Sequence, residues 1–153
     1  MEIRQLTNTE EKQKVTQLVL EALPEWFGIP EAREEYIKEC TNKIFFSAYD
    51  KDRPVGFLYL KETGNATIEL YVMGILKEFH RHGIGRELFH RAKKAASEAG
   101  YSFMQVKTVQ MGKYEEYDRT NKFYLSLGFQ EFEVFPTLWD HWNPCQIYIM
   151  SLR

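Results

Sequence analysis

Apolar positions along the 153-residue chain change period several times, and each change marks an element. "EIRQL", residues 2–6, alternates as a short strand. Asn8 and Thr9 stand where a helix cap belongs, ahead of an acidic first turn and a stripe of Val15, Leu18, Val19 and Ala22. "LPEWFGIPE" interrupts that stripe, and Pro30 is placed to open a second helix, "PEAREEYIKEC". "KIFFSAYD" and "PVGFLYLKE" are β-rich runs joined by the polar turn "KDR", which predicts a hairpin. "ATIELYVMGIL" is the longest strand candidate. Period two places Ile68, Leu70 and Val72 on one of its faces and Glu69, Tyr71 and Met73 on the other.

Helical spacing returns with Ile84, Leu88, Ala92, Ala95 and Ala99, and Gly100 is a good stop. "SFMQVKTV" predicts another strand, followed by a polar, tyrosine-rich loop. "DRTNKFYLSLGF" predicts a short helix ending at Gly128, and "QEFEVF" and "CQIYIMSL" are strands around the loop "PTLWDHWNP". The order β-α-α-β-β-β-α-β-α-β-β predicts one α/β domain over residues 1–153, with a mixed sheet and one clear βαβ unit at residues 66–107.

Composition narrows the partners. A net charge of −2 argues against a general nucleic-acid binder. No apolar run reaches the ~18 residues needed to cross a bilayer. "MEIRQLTNTEEKQ" lacks the apolar stretch of a signal peptide, so a cytoplasmic protein with no membrane partner is expected. Cys40 and Cys145 lie far apart without CxxC spacing, which predicts buried free thiols and no metal or redox pair.

Candidate chemistry concentrates in "EFHRHGIGRELF", residues 78–89. A glycine-containing loop between a strand and a helix start makes an anion site, because the first helical N–H groups have no internal partners and the helix dipole favours negative charge. Gly83 and Gly85 would let a ligand approach the backbone, and Arg81, His82 and Arg86 add positive charge. A phosphate or pyrophosphate is the natural occupant. The dinucleotide fingerprint fails because residue 88 is Leu, and no G-K-[ST] follows for a Walker loop.

Together with "NKFYLSLGF" about forty residues later, this motif resembles the GNAT superfamily of acetyl-CoA-dependent N-acetyltransferases. That family carries [QR]-x-x-G-x-[GA] opening a helix and later F-Y-x-x-x-G-F; here the two read "HRHGIG" and "FYLSLGF". Lys77 replaces the usual proline, His80 the usual Gln or Arg, and Tyr117 an Asn that contacts the cofactor in many members. The resemblance covers nearly the whole chain. It implies a mixed, mostly antiparallel sheet of about seven strands, with a central parallel βαβ unit and flanking helices.

It also implies acetyl-CoA as co-substrate and three jobs. Arg81, His82, Gly83, Ile84, Gly85 and Arg86 would hold the CoA pyrophosphate, chiefly by backbone N–H groups. Met73, Gly74 and Ile75 would pair with the pantetheine arm where the sheet splays, with a main-chain N–H as oxyanion donor. Gly74 inside a strand independently suggests a bulge or a close backbone approach. Tyr124 would sit by the cofactor sulfur and protonate the leaving thiolate, or else simply pack between helix and sheet.

Glu69 is the best-placed base for the acceptor amine, where some histone-modifying members keep a catalytic Glu; a strand-end carboxylate or structural ion pair is the other reading. Glu115, Glu116 and Asp118 are loop alternatives. His80 and His82 suit phosphate contact or solvent rather than catalysis.

The resemblance implies that the first two helices and the last two strands wall the acceptor side; here those pieces, "LPEWFGIPEAREEY" and "VFPTLWDHWNP", are aromatic, with Glu25, Glu34, Glu35 and Asp140 nearby. Aromatic faces with carboxylates suit a cationic amine, which favours a small-molecule acceptor. Protein lysine or N-terminal acetylation, and a non-catalytic acetyl-CoA-binding module, are the alternatives. Either a monomer or a homodimer is compatible.

Overall fold

The computed structural model describes residues 1–153. Its strands are β1 (Glu2–Leu6), β2 (Ile44–Asp50), β3 (Arg53–Glu62), β4 (Thr67–Ile75), β5 (Phe103–Val109), β6 (Gln130–Phe135) and β7 (Cys145–Ser151). They form one sheet in the order β1-β2-β3-β4-β5-β7-β6. Every neighbouring pair is antiparallel except β4 and β5. That parallel pair is the expected βαβ unit, crossing through α3 (Ile84–Glu98). The other helices are α1 (Thr9–Glu21), α2 (Pro30–Glu39) and α4 (Glu115–Ser126). No helix is long and apolar enough to cross a membrane.

Local signals set the element ends as expected. The Asn8 carboxamide accepts the Glu11 N–H at 2.9 Å and caps α1. Pro30 opens α2, and Gly100 and Gly128 end α3 and α4 with φ of +96° and +105°. Cys40 and Cys145 are buried free thiols.

Packing moves some of the predicted faces. Leu18 is 42% exposed while Leu20 is buried, and Ala96 rather than Ala99 enters the core, because α1 and α3 are each rotated against the sheet. The segment expected as a loop after β5 is partly helix: α4 begins at Glu115 and takes Glu116, Tyr117 and Asp118 with it. The Asp118 carboxylate accepts the Gly112 N–H at 2.7 Å, tying the preceding turn to that first helical turn.

The most consequential shift lies in β4. Tyr59 faces Val72 while Leu60 faces Leu70, so Tyr71 is the extra residue of a β-bulge. Beyond it the alternation changes phase. Val72 and Gly74 cross to the face of Glu69, and Met73 leaves that face. A Cβ added to Gly74 would lie 3.0 Å from Val19 and 3.1 Å from Leu23 of α1, whereas Met73 reaches Gly85 of α3. Gly74 therefore marks the close approach of α1, and the bulge sits three residues earlier. Since residues 73 and 74 point to opposite faces, α1 and α3 sandwich the sheet. On the α1–α2 face, Phe45 stacks with Phe57 and Tyr59 at centroid distances of 5.4 and 5.8 Å. The Tyr59 hydroxyl donates to the Tyr36 carbonyl of α2 at 2.8 Å.

Candidate active site

β4 and β5 pair only where Thr67–Glu69 face Phe103–Gln105. Beyond that point the two strands part, and a cleft of about 1150 Å³ occupies the fork. Its walls are both strands, the start of α3, one side of α4 and the turn between α1 and α2.

At one end lies the mouth of α3. No N–H group of residues 81–86 donates to a backbone carbonyl; the first bond of the helix runs from Glu87 N–H to the Gly83 carbonyl at 3.1 Å. These free donors converge where the helix dipole favours an anion. Arg81 (φ +65°) and Gly83 (φ +79°) give the loop its left-handed bends. The two glycines serve different ends. Nothing lies within 4 Å of a Cβ on Gly83, so its role is conformational. A Cβ on Gly85 would meet the Phe123 ring at 3.0 Å and the Met73 methyl at 3.1 Å, so Gly85 lets the helix start pack on the cleft wall.

Gly83→Ala is expected to cost about 1 kcal/mol through left-handed strain alone. A thermal melt should show this as a fall in Tm of roughly 2–4 °C.

Arg81, Ile84 and Arg86 line the cleft beside those glycines. The Arg86 guanidinium donates to the Ser126 hydroxyl at 3.1 Å, linking α3 to α4. The His82 side chain does not line the cleft; its ring packs edge-on against Phe79 at 6.1 Å, leaving its main-chain N–H as the group near the site. His80 is also occupied within the protein. Its Nε2 lies 2.7 Å from the Ile75 carbonyl, which can only accept, so that nitrogen carries the proton.

The free edge of β4 follows from its register. The Leu76 N–H bonds the Val55 carbonyl of β3 at 2.9 Å, so strand alternation turns the polar groups of Ile75 the opposite way, into the fork. The Met73 backbone, two residues earlier, shares that direction. Met73, Gly74 and Ile75 all line the cleft.

Tyr124 of α4 also lines it, at 8% exposure. Its ring packs against Phe123, Phe129 and Tyr148 at 5.8, 6.0 and 6.3 Å. Burial raises the phenol above its ordinary pKa, with smaller contributions from Tyr117 and Glu69, so it stays protonated.

Glu69 is 4% exposed on the cleft floor and bonds the Lys107 ammonium at 3.0 Å. Burial raises its pKa, and Lys107 opposes without cancelling the shift. Beside it, the Tyr71 hydroxyl donates to Glu39 at 3.0 Å, and Lys61 bonds the same carboxylate at 3.1 Å. Tyr36 meets Tyr71 edge-on at 5.7 Å.

The turn between α1 and α2 arches across the cleft from His80, which the Trp26 ring meets edge-on at 6.0 Å, to α4. Trp26 Nε1 donates to the Thr120 hydroxyl at 3.3 Å, and the Tyr117 hydroxyl donates to the Trp26 carbonyl at 3.1 Å. Arg33 holds the Phe27 carbonyl at 2.7 Å. Of the acidic residues expected here, Glu25 and Asp140 line the cleft. Glu25 is paired with Lys77, and Asp140 is used within its own loop, accepting the Trp142 and Asn143 N–H groups at 2.8 and 2.9 Å. Glu34 and Glu35 are absent from the cleft wall; Glu34 lies on the outer side of α2. Of the three loop alternatives, only Glu116 lines it.

The sequence reading missed Lys107, Thr108 and Asn121. Period two in "QVKTV" pairs Lys107 with Gln105, but nothing local reveals Glu69 opposite. Asn121 is fully buried and pins α4 to the sheet, donating to the Val109 carbonyl at 2.9 Å and accepting the Tyr148 hydroxyl at 2.6 Å.

Comparison with known proteins agrees with this architecture. The family described as "Acetyltransferase (GNAT) domain" matches residues 41–131. No curated protein is matched by the sequence. Among solved structures, the chain is similar to a protein of Desulfovibrio desulfuricans described as a GNAT-family acetyltransferase, with a TM-score of 0.84, 18% identity and 99% of each chain covered. It is also similar to an aminoglycoside 6'-N-acetyltransferase complexed with coenzyme A, with a TM-score of 0.76, 18% identity, and 100% of this chain and 98% of that one covered. The ribosomal-protein-S18-alanine N-acetyltransferase of Escherichia coli gives a TM-score of 0.76 at 14% identity, over 99% of this chain and 93% of that one. These likenesses confirm the expected fold. With most of the chain matched by the family, from β2 through α4, this protein belongs to the GNAT acetyltransferases and is an acyltransferase with acetyl-CoA as its co-substrate.

Proposed function

We propose that residues 1–153 form a catalytic domain that moves an acetyl group from acetyl-CoA to the primary amine of a small cationic molecule, by direct attack with both substrates bound. The observation that carries this reading is the meeting of two unlike ends in one cleft. Free N–H groups and arginines lie at the α3 mouth, Glu69 with the rings of Tyr36, Tyr71 and Tyr117 lies at the other end, and Trp26 stands between, edge-on to His80 at 6.0 Å. The first end suits a diphosphate. The second suits an amine, through ring faces that hold a cation and a buried carboxylate able to take its proton.

The residues fit the co-substrate along its length. Arg81, Gly83, Ile84, Gly85 and Arg86 would hold the diphosphate, with His82 contributing its N–H. Met73 and Ile75 would offer backbone partners to the pantetheine arm, and Gly74 between them, bonded to β3, lines its path. Bound acetyl-CoA supplies an activated acyl thioester. Glu69, its basicity raised by burial, takes the proton from the amine, directly or through one water. The Ile75 N–H stabilises negative charge on the carbonyl oxygen. The neutral Tyr124 phenol donates its proton to the departing sulfur.

Aminoglycosides, the substrates named for one similar structure, belong to the proposed acceptor class. The test is thiol release from acetyl-CoA across polyamines, aminoglycosides, amino sugars, amino acids, and lysine and N-terminal peptides. Turnover confined to small polycationic amines is expected. Turnover confined to peptides would overturn the acceptor assignment and leave a protein acetyltransferase.

A further inference from the structure

Only one buried side-chain polar atom in the chain lacks a hydrogen-bond partner: the Thr108 hydroxyl oxygen. Thr108 is 4% exposed and lines the cleft. Other buried polar side chains are satisfied. Lys12 bonds the Thr41 and Lys43 carbonyls, Thr16 the Lys12 carbonyl and Ser47 the Gly56 carbonyl. An orphaned buried hydroxyl bears its desolvation cost with nothing to offset it, so its persistence calls for an explanation.

The register shows which way Thr108 points. β5 pairs with β7 without a shift, so Val106 and Thr108 share a face and Lys107 takes the other. Val106 stands opposite Tyr148, whose hydroxyl reaches Asn121 of α4. Asn121 in turn bonds the Val109 carbonyl, next to Thr108, and Tyr124 follows one helical turn later. Thr108 therefore faces the Tyr124 side of the fork, across the sheet from Glu69 and Lys107. β4 has already left β5 at this level, so no strand covers the hydroxyl from that side.

We propose that the Thr108 hydroxyl is a binding group for acetyl-CoA, donating a hydrogen bond to a carbonyl oxygen of its acyl-bearing arm. The inference rests on the placement of acetyl-CoA in this cleft. The charged nucleotide end belongs at the α3 mouth, and the amine belongs on the Glu69 face. The acyl-bearing arm is the part left to meet a buried hydroxyl beside Tyr124.

Thr108→Val removes the hydroxyl at nearly constant volume, and Thr108→Ser keeps it. Calorimetric titration with acetyl-CoA should find the valine variant binding roughly three- to tenfold more weakly, with the serine variant near wild type. The free valine variant should melt higher by about 2–4 °C, because the orphaned hydroxyl is gone. Weaker binding together with higher stability is a signature that a purely structural role would not produce. Unchanged binding in Thr108→Val, or a loss accompanied by a lower Tm that serine does not restore, overturns the proposal. Wild-type protein that takes up no acetyl-CoA overturns the cofactor placement itself. Wild-type binding with an unaffected valine variant overturns only the role of Thr108.

Discussion

Glu69→Gln is expected to lower kcat by two to four orders of magnitude, about the contribution of a positioned general base. It should also remove the acidic limb of the pH–rate profile. The sign follows from the chemistry. A base must be deprotonated to take the amine proton, so the rate falls as pH drops through its pKa. Burial on the cleft floor raises that pKa, and the Lys107 ammonium at 3.0 Å partly restores the charged form. The limb should therefore lie above the ordinary carboxylate range. Lys107→Met removes the opposing charge and should move the limb to higher pH, a displacement that a purely structural ion pair would not cause. An acidic limb that survives unaltered in Glu69→Gln would leave Glu69 as the partner of Lys107 and nothing more.

Tyr124→Phe is the second large effect. The expected result is a fall in kcat of about a hundredfold or more, the lower bound for loss of a general acid, with little change in affinity for acetyl-CoA. The substitution keeps the ring, and with it the contacts to Phe123, Phe129 and Tyr148. Loss of activity with an unchanged Tm would therefore report the hydroxyl. Burial keeps the phenol protonated well into the alkaline range, so Tyr124 should add no basic limb near neutral pH. Steady-state kinetics with acetyl-CoA varied at saturating amine separates the two parameters. Unchanged turnover would return Tyr124 to the packing role that its position also allows.

Both predictions rest on residues legible in the chain, though their surroundings were not. Tyr124 is part of a motif whose spacing survives translation into a helix, so its place on the cleft wall could be anticipated. Glu69 could be placed on the long strand and on a face. That Tyr71 shares its face could be read too, but not that Lys107 of β5 stands beside it. His80 and His82 show the limit from the other side. Their charge and position suggested phosphate, yet one ring bonds the Ile75 carbonyl and the other packs on Phe79.

Taken alone, the sequence determined the element order, the parallel β4–β5 unit, the cap of α1, the start of α2, the ends of α3 and α4, and the glycine-rich mouth of α3. Each depends on preferences within a few residues: an Asn side chain reaching an N–H three positions on, a proline that fixes φ, a glycine that tolerates a left-handed bend, a repeating apolar period. Tertiary structure alone decided the bulge at Tyr71 that reverses the faces of Met73 and Gly74, and the pairing of Glu69 with a lysine 38 residues away. It also decided the closure of Trp26 onto a threonine 94 residues away, and the stranding of the Thr108 hydroxyl where β4 and β5 part. These features arise from the register between segments distant in the chain, and a local period carries no information about which residue will stand opposite once two strands meet or diverge.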